Sequence, residues 1–281
     1  MTQSELILNP DGSVYHLNLL PHEIAQTIIT VGDPDRVARV SQHFDKILFK
    51  KQKREFVTHT GEKNGKPITV IATGIGTDNI DIVFTELDAL VNINLEKRVV
   101  KEKLTVLDFI RIGTTGAMQE DIPIDSFIAS KMALGLDGLL HYYQPLSLTE
   151  KEEQILRETN ELLPQPAYFA RSDESLLNKY AADYVQGITA TCAGFYGPQG
   201  RQLRIKPFSQ NYLDHLRKMH WGTLRFTNFE METAGIYGMA NLLGHRALSL
   251  SVAAANRATQ EFSKNATKAV DHLIEEVLHK I

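Results

Sequence analysis

Short apolar runs alternate along this chain with segments of helical periodicity, and this alternation limits the fold more than any other feature. The order predicts one α/β domain over residues 1–281, with a mixed central sheet covered by helices. In such sheets, ligands bind where strands end in loops. The runs of strand length lie at 26–31, 104–113, 125–134, 187–195 and 246–258. Apolar residues recur every three or four positions at 34–44, 78–97, 151–163, 231–244 and 265–281.

A hairpin signal and a charged segment interrupt this alternation. Two β-rich runs flank an Asn-Gly-Lys turn within 54–74, which is typical of a β-hairpin. The segment 92–105 is rich in Lys, Arg and Glu, and we expect it to extend the preceding helix or to form a solvated loop. Gly244 suits the C-cap of the helix predicted at 231–244.

The composition excludes several classes of protein. With 43% hydrophobic and 23% charged residues the chain resembles ordinary soluble proteins, and its net charge of −4 lacks the basic excess of a duplex-binding protein. Cys192 is the single cysteine, so no intrachain disulfide can form. No run reaches the ~18 apolar residues of a membrane span, and the N-terminus lacks the pattern of a signal peptide. We therefore expect a cytoplasmic protein that binds neither nucleic acid nor membrane.

A first polar cluster, Gly-Asp-Pro-Asp-Arg, follows the apolar run at 26–31. Gly32 would let the backbone approach a ligand, and the helix that begins at Pro34 would offer free N–H groups to an anion. Arg36 adds a charge that can bind phosphate through two hydrogen bonds. The alternative is a strand-to-helix turn followed by a solvated arginine.

A second cluster, RIGTTGA at 111–117, ends another apolar run. Arg111 is a charge in an apolar strand, which is costly unless the residue is paired or faces a site. Gly113 and Gly116 are predicted to open a turn in which Thr114 presents a hydroxyl and an N–H group. The alternative is that the arginine pairs with a structural acid.

A third cluster, GFYGPQGRQ at 194–202, suits a flat heterocycle with amide edges. Phe195 offers a ring for stacking, Gln199 is both a donor and an acceptor, and Arg201 is a donor fork. The same composition is also found in ordinary Gly/Pro loops that contain one packed aromatic residue.

Two carboxylates, Glu230 and Glu232, flank Met231 near the start of the helix predicted at 231–244. The simplest interpretation is helix capping, because acids near a helix N-terminus interact favourably with its partial positive charge. Whether they also face a site depends on the rest of the chain.

Three other polar residues are less distinctive on their own. Arg54 lies among lysines and is indistinguishable from a solvated basic stretch. Asn256 and Arg257 are polar groups at the end of the apolar run at 246–258, where a site would be expected.

Nine stretches of this chain resemble the uridine phosphorylase branch of the nucleoside phosphorylases, and they occur in the order of that family. They run from about residue 14 to the C-terminal helix. The stretches are VYHLNL, VGDPDRV, REF, ATGIG, FIRIGTTGA, LDG, FYGPQGR, NFEMET and NRATQE. The resemblance implies a three-layer phosphorylase-type α/β sandwich with a mixed, partly barrel-like central sheet. It also implies reversible phosphorolysis of uridine to uracil and ribose 1-phosphate, with orthophosphate as co-substrate and with no cofactor or metal.

The resemblance assigns site residues in three groups. Arg54 and His16 match residues that the family lends across a dimer interface, which makes a homodimer the minimal unit and leaves a hexamer open. Glu232 would grip the ribose hydroxyls, while Glu230 would support the site. Phosphate would be bound by Gly32, Arg36, Arg54, Arg111 and Thr114. The ribose would be held by His16, Glu230, Met231 and Glu232. The base would be bound by Phe195, Gln199, Arg201, Ala254, Ala255 and Arg257.

Departures from the family pattern leave alternatives open. Purine-specific relatives carry an acid near the position of Asn256, so an amide there favours a pyrimidine. Ala254 and Ala255 replace larger aliphatic residues, so thymidine or deoxyuridine would also fit. Asn79 stands where relatives that bind a monovalent cation, through a residue matching Glu55, often have serine, so no ion is predicted. The competing hypotheses are a purine phosphorylase or nucleosidase of the same fold, and a non-catalytic nucleoside-binding protein.

Overall fold

Strands from most of the chain join one mixed sheet. The computed structural model describes residues 1–207, 209 and 211–281. The strands in this part of the chain are β1 (Thr27–Val31), β2 (Lys46–Lys53), β3 (Phe56–Lys63), β4 (Lys66–Ala72), β5 (Ile93–Asn94), β6 (Val99–Val100), β7 (Asp108–Ala117), β8 (Phe127–Gly135), β9 (Tyr168–Arg171), β10 (Val185–Thr191), β11 (His220–Trp221), β12 (Leu224–Glu230), β13 (Arg246–Asn256) and β14 (Glu261–Phe262). All of them except β5 and β6, which pair with each other, belong to the main sheet.

Helices fill most of the connections between these strands. Their N-terminal residues follow the expected capping rules in part: the side chain of Asp33 caps the first helix by accepting from Asp35 N, and Pro34 occupies the first turn. The α-helices are α1 (Pro34–Ser41), α2 (Thr77–Asn92), α3 (Glu150–Asn160), α4 (Glu174–Ala181), α5 (Tyr212–Lys218), α6 (Thr233–Leu243) and α7 (Ala266–His279).

One end of the main sheet closes into a five-stranded barrel. β7 runs parallel to β13, β13 runs antiparallel to β8, and β10 runs parallel to both β8 and β12. The barrel closes where β12 meets β7 in antiparallel orientation, with Asn228 opposite Ala117 and Phe229 opposite Gly116. Beyond β7 the sheet continues as an open series, β1, β4, β3 and β2.

Helices cover both faces of this sheet, which gives three layers. Ile28 and Ile29 of β1 belong to two different apolar clusters, as expected when successive side chains of a strand point to opposite faces. One cluster includes residues of α1, α4 and α7, such as Leu273, and the other includes residues of α2 and α6, such as Phe84. α3 and α5 contribute to a third cluster against the barrel strands.

A chain of buried hydrogen bonds crosses the barrel strands. The hydroxyls of Ser130 and Thr189 lie 2.5 Å apart, and Thr189 Oγ1 donates to Asn228 Oδ1 at 2.9 Å. Asn228 Nδ2 donates to Thr115 Oγ1 at 2.9 Å, and Thr115 Oγ1 donates to the Phe229 carbonyl at 2.7 Å. These bonds link β8, β10, β12 and β7. They therefore reinforce the junction of β12 with β7, where backbone pairing extends over only a short length.

The predicted class, a mixed and partly barrel-like sheet between helices, is confirmed, and each predicted helix is present with shifted ends. Gly244 adopts the left-handed C-cap conformation with φ 75°. The helix extension predicted for 92–105 is wrong, because α2 ends at Asn92 and β5 and β6 form a short hairpin, whereas the exposed residues 101–106 form the solvated loop that was the alternative. Its turn is closed by Asn94, whose side chain accepts from Lys97 N at 2.9 Å, and Arg98 takes a φ of 55°.

We predict that Asn228→Leu lowers the free energy of unfolding by about 2–3 kcal/mol, because it leaves hydroxyls of the barrel chain without their amide partner. Denaturant unfolding measures this change. Asn241→Leu is the matched control, since that amide makes one 3.4 Å bond on a half-exposed face and should change stability by under about 1 kcal/mol. Equal losses in the two variants would contradict a role for the barrel chain.

Candidate active site

The carboxyl ends of several strands surround one cavity of about 820 Å³. The walls come from the ends of β1, β4, β7, β12 and β13 and from the loop after β10. This is the edge at which open α/β sheets bind ligands, and the volume falls in the range of small-molecule sites. The predicted site residues that line it are Gly32, Arg36, Arg111, Thr114, Phe195, Gln199, Arg201, Glu230, Met231, Glu232, Ala254 and Ala255.

Arg111 lies within β7, and its guanidinium folds back over the strand. A β-carbon at position 113 would lie 2.0 Å from Arg111 Nη1, so Gly113 makes room for the guanidinium. A β-carbon at Gly116 would lie 2.6 Å from the ring of Phe229. The predicted turn at these glycines is therefore wrong: β7 continues to Ala117, and the glycines admit neighbouring side chains instead.

Two carboxylates and one hydroxyl hold Arg111 in place. Nη2 lies 2.6 Å from Glu232 Oε2 and 3.3 Å from Glu230 Oε2, and Nη1 donates to Ser251 Oγ at 3.1 Å. Burial by itself would lower the pKa of Arg111, but the two carboxylates outweigh it and raise that pKa. Pairing of Arg111 with structural acids, which was the alternative to a role in a site, is thus present. The same guanidinium also lines the cavity.

Glu230 ends β12, and its side chain caps α6. Oε1 accepts from the Thr191 hydroxyl at 2.7 Å, while the backbone N–H groups of Glu232 and Thr233 each donate to Oε2 at 2.9 Å. The capping interpretation is therefore correct for Glu230. Because these bonds engage both oxygens, the residue holds the first turn of α6 and the backbone of Glu232 in position.

Glu232 occupies the N-cap position of α6 but makes no side-chain capping bond. Oε1 accepts from Gly76 N at 2.8 Å and Oε2 accepts from Arg111 Nη2 at 2.6 Å, which fixes the carboxylate at the cavity wall. Burial raises the pKa of Glu232, the charge of Arg111 opposes this, and the charge of Glu230 adds to the rise. A carboxylate held in this way retains lone pairs that can accept from the hydroxyls of a ligand.

Arg36 lies in the first turn of α1 and lines the same cavity. Nη1 donates to the Ile112 carbonyl at 3.2 Å, and within residues 1–207, 209 and 211–281 its buried Nε has no partner. No carboxylate in that part of the chain lies within 4 Å of its guanidinium. Burial and the positive charge of Arg111 lower the pKa of Arg36. An anion between the two guanidinium groups would relieve this repulsion.

The loop after β10 brings an aromatic ring, an amide and a guanidinium to one end of the cavity. Arg201 stacks on Phe195, with its guanidinium carbon 3.8 Å from the ring centroid. Arg201 Nη1 also donates to the Phe195 carbonyl at 2.6 Å and to Gln199 Oε1. Gln199 is buried, whereas 51% of Phe195 is exposed, so the free face of the ring is open to a ligand.

Arg257 and Asn256 differ in how they relate to the cavity. Arg257 lines a smaller recess that adjoins the main cavity. Asn256 Nδ2 donates to the carbonyls of Gln119 and Ile122 at 2.8 and 2.7 Å, and its Oδ1 accepts from Ala258 N at 2.8 Å. Backbone groups thus bind both ends of this amide, so Asn256 has a structural role that does not depend on a ligand.

Besides Arg257, two predicted residues lie outside the main cavity of their own chain, and these two do not line the adjoining recess either. His16 Nδ1 lies 2.6 Å from Glu86 Oε1, and the backbone N–H of His16 donates to the same carboxylate. Arg54 is exposed in the turn between β2 and β3 with a φ of 54°, next to Glu55, which lines the cavity. Their assignment to a neighbouring subunit's site stays a prediction.

Several lining residues were outside the predicted site. Ile75 is 68% exposed and Phe262 is 75% exposed, so both present apolar surface at the cavity mouth. An isoleucine between two glycines in ATGIG was a usable signal for the first, whereas no sequence pattern marks the second. The lining residues to which no binding role was assigned are Asp33, Pro34, Glu55, Gly74, Ile75, Asn79, Gly113, Thr115, Gly116, Phe229 and Phe262.

The described residues contain neither a candidate metal site nor a membrane-spanning helix. No group of three or more His, Cys, Asp or Glu residues with a geometry suited to a metal ion occurs among them. No helix in this part of the chain combines the length and apolar character needed to cross a bilayer.

Comparison with known proteins relates this architecture to one family. The family model described as Phosphorylase superfamily matches residues 26–280. The uridine phosphorylase of Thermococcus kodakarensis is 34% identical over 92% of this chain and 83% of its own length. The uridine phosphorylase of Haemophilus influenzae is 31% identical over 91% of each chain.

A solved structure agrees with these sequence relatives. The crystal structure of a Trypanosoma brucei nucleoside phosphorylase that shows uridine phosphorylase activity superposes with a TM-score of 0.89. The two chains are 28% identical, and the match covers 98% of this chain and 100% of the other. This chain therefore belongs to the phosphorylase superfamily, and its relatives there include uridine phosphorylases.

Proposed function

We propose that this protein catalyses the reversible phosphorolysis of uridine to uracil and ribose 1-phosphate. The observation that carries the proposal is the meeting of Arg36, Arg111 and Glu232 in one cavity whose other end holds Gln199 and Arg201. Cations suit phosphate, a fixed carboxylate suits sugar hydroxyls, and an amide beside a guanidinium suits the edge of a pyrimidine. The similarity to proteins named uridine phosphorylase supports the same assignment.

The phosphate end of the cavity favours attack on the sugar. A phosphate oxygen forms a bond to ribose C1′ as the C1′–N1 bond breaks, and the electron pair leaves with the uracil, which takes a proton from solvent. Arg36 and Arg111, with Gly32 and Thr114 beside them, would hold the phosphate in line for this attack. The bound anion would in turn stabilise positive charge that develops on the sugar.

The other two parts of the nucleoside would be held by the remaining groups. Glu232 would accept from the ribose hydroxyls while Glu230 keeps Glu232 and Arg111 in place. Gln199 and Arg201 would bind the amide edge of uracil and stabilise the negative charge that it carries away. Ala254 and Ala255 leave space beside the base for the 5-methyl group of thymidine. Deoxyuridine has the same base as uridine, so its use as a substrate would depend on the sugar end of the cavity.

Two competing activities belong to the same fold. A nucleosidase uses water and has no need for Arg36, a half-buried cation without an ion-pair partner in the described chain. A purine phosphorylase would carry an acid near position 256, and this chain has Asn256 there, whose amide is bound to the carbonyls of Gln119 and Ile122.

The remaining properties of the enzyme follow the same proposal. We propose a cytoplasmic salvage enzyme with a single domain over residues 1–281, without a cofactor or metal. Its minimal unit would be a homodimer in which His16 and Arg54 reach the neighbouring cavity, since neither lines its own. Sedimentation of the active enzyme tests this, and a fully active monomer would rule it out.

A substrate panel tests the activity directly. Uridine, thymidine, inosine and adenosine are each incubated with and without phosphate, and release of the free base is measured by chromatography. We expect phosphate-dependent release of uracil from uridine and little reaction of the purine nucleosides. Uracil release that is independent of phosphate would identify a nucleosidase, and no release from any substrate would favour a binding protein.

We predict that Arg36→Gln raises the KM for phosphate by roughly 10- to 100-fold, because one charge-assisted hydrogen bond to the anion is lost. The KM for uridine should change by less than about threefold. Arg36 is a better choice than Arg111, whose removal would leave two buried carboxylates unpaired at a cost of about 3–5 kcal/mol.

The matched control for this variant is Arg39→Gln. Arg39 lies one turn later on α1, where it binds Asp271 at 2.6 Å and lies outside the cavity. Its replacement should leave both KM values unchanged. A similar rise in the phosphate KM for both variants would argue against a direct contact between Arg36 and phosphate.

We predict that kcat/KM for uridine falls as the pH is lowered. The fall should occur at a higher pH than the titration of a solvent-exposed glutamate would produce. Burial raises the pKa of Glu232, so its carboxylate takes up a proton before a solvated glutamate does and then no longer accepts from the ribose hydroxyls. Activity is therefore full above that pKa and is lost as the pH falls through it.

The variant Glu232→Gln separates this effect from the titration of phosphate itself. It should lower kcat/KM for uridine by about 10- to 100-fold and remove the acidic decline that belongs to Glu232. Glu150→Gln, at an exposed position on α3, should retain the wild-type profile. An unchanged acidic decline in Glu232→Gln would assign it to another group.

A further inference from the structure

His16 and Arg54, the two predicted site residues that line neither cavity of their own chain, are held together by a network of contacts. Lys53, which precedes Arg54, donates from Nζ to the carbonyl of Tyr15, the residue before His16, and to Asn9 Oδ1. The same Nζ lies 4.4 Å from the centre of the Tyr15 ring. The two side chains therefore keep a fixed relation to each other.

This network lies beside the mouth of the main cavity. Glu55, which follows Arg54, lines that cavity. In a dimer whose twofold axis passes beside the mouth, the same patch of both copies meets, so residues next to one cavity approach the other. This placement suits the donation of His16 and Arg54 to the neighbouring cavity that the proposed function includes.

His16 stands at the tip of a tight turn that packs on α2. Val14 N donates to the Leu19 carbonyl and Asn18 N donates to the Val14 carbonyl, each at 3.0 Å, and Asn18 takes a φ of 57°. Val14, Leu17 and Leu19 are fully buried in the apolar cluster that includes residues of α2. The His16 side chain is 27% exposed. The backbone of the turn is thus fixed while the imidazole reaches the surface.

A carboxylate on α2, Glu86, fixes the orientation of this imidazole. Its oxygens accept from the backbone N–H groups of His16 at 2.9 Å and Leu17 at 2.8 Å, and Oε1 lies 2.6 Å from His16 Nδ1. An ionised carboxylate only accepts hydrogen bonds, so Nδ1 carries a proton and Nε2 of the neutral ring keeps its lone pair. Within residues 1–207, 209 and 211–281, the bonds of the His16 ring engage Nδ1 and leave Nε2 free.

We propose that Glu86 is a positioning residue for the reaction in the neighbouring subunit: it holds His16 in the tautomer whose Nε2 accepts from a ribose hydroxyl there. This inference rests on the proposed function and on its homodimer. Glu86 itself touches no substrate and acts through His16. Without it, the ring can turn or carry its proton on Nε2, and the hydroxyl then loses its acceptor.

Two variants on the same helix test this role. Glu86→Gln and its matched control Asp88→Asn each neutralise a carboxylate that faces a histidine, since Asp88 lies 3.2 Å from Nε2 of His245, a fully buried side chain outside both cavities. We expect Glu86→Gln to lower kcat/KM for uridine by about 10-fold and to change the KM for phosphate by less than about twofold. Asp88→Asn should keep both wild-type values. Equal losses in the two variants would make Glu86 a merely structural residue and overturn the proposal.

The effect should vanish when either end of the contact is absent. In the His16→Ala background, adding Glu86→Gln should lower kcat/KM for uridine by less than about twofold further. Among 2′-, 3′- and 5′-deoxyuridine, the analogue that lacks the bound hydroxyl should be used equally well by the wild type and by Glu86→Gln. An undiminished loss in the double variant, or with all three analogues, would overturn the proposal.

Hybrid dimers show in which cavity Glu86 acts. Chains that carry Glu86→Gln and chains that carry Glu232→Gln are co-expressed with different affinity tags, and dimers with one chain of each kind are purified. If Glu86 serves the neighbouring cavity, an intact Glu86 and an intact Glu232 meet in one site of the hybrid, whose activity should exceed that of both parents. A hybrid no more active than its parents would place the effect within one chain and overturn the proposal.

NMR of the enzyme labelled with ¹⁵N-histidine distinguishes this proposal from the proposed function, because it needs no turnover. The His16 ring should carry its proton on Nδ1 in the wild type and in Asp88→Asn but not uniformly in Glu86→Gln, and its Nε2 signal should shift when uridine is added. A proton on Nε2 in the wild type, or an Nε2 signal that ignores uridine, would overturn the role of Glu86 even if uridine is phosphorolysed. The expected signals without phosphorolysis of any nucleoside would keep the positioning role and remove the proposed function.

Discussion

The buried cluster of Arg111 with Glu230 and Glu232 is the interaction on which the site depends. It joins β7, β12 and the first turn of α6, so one guanidinium connects the barrel to the helix that follows it. Two acids next to one base would be costly in an apolar interior, but backbone N–H groups and the Thr191 hydroxyl also donate to the two carboxylates. The cluster is therefore rigid before any ligand arrives, and this suits a site that must orient two substrates at once.

Much of the fold was predictable because the sheet and helices obey simple periodicities, and the exceptions have physical causes. β12 was missed since buried Thr227 and Asn228 interrupt its apolar pattern, although their side chains are satisfied inside the barrel. β2 was missed because its many lysines resemble a solvated segment. In both strands the tertiary environment, which a local pattern cannot report, decides the structure.

The site was predictable to the extent that polar residues follow strands. That rule, with the family resemblance, brought together Arg36, Arg111 and Gln199 from distant parts of the chain. The turn predicted at RIGTTGA was wrong, although Arg111 and Thr114 do line the cavity. A glycine that makes room for a neighbouring side chain cannot be told by sequence from a glycine that makes a turn. It also could not find Phe262, whose exposure beside the cavity depends on how β14 returns along β13.

The open end of the sheet has a consequence for how copies of the chain can meet. The barrel satisfies the strand edges at one end, whereas β2 at the other presents an edge on which Lys46 and Lys50 are exposed. Adding a strand from a second chain would bring like charges into register and strip water from them. Contact between subunits is therefore directed toward side-chain surfaces, and open-ended polymerisation by strand addition at β2 is disfavoured.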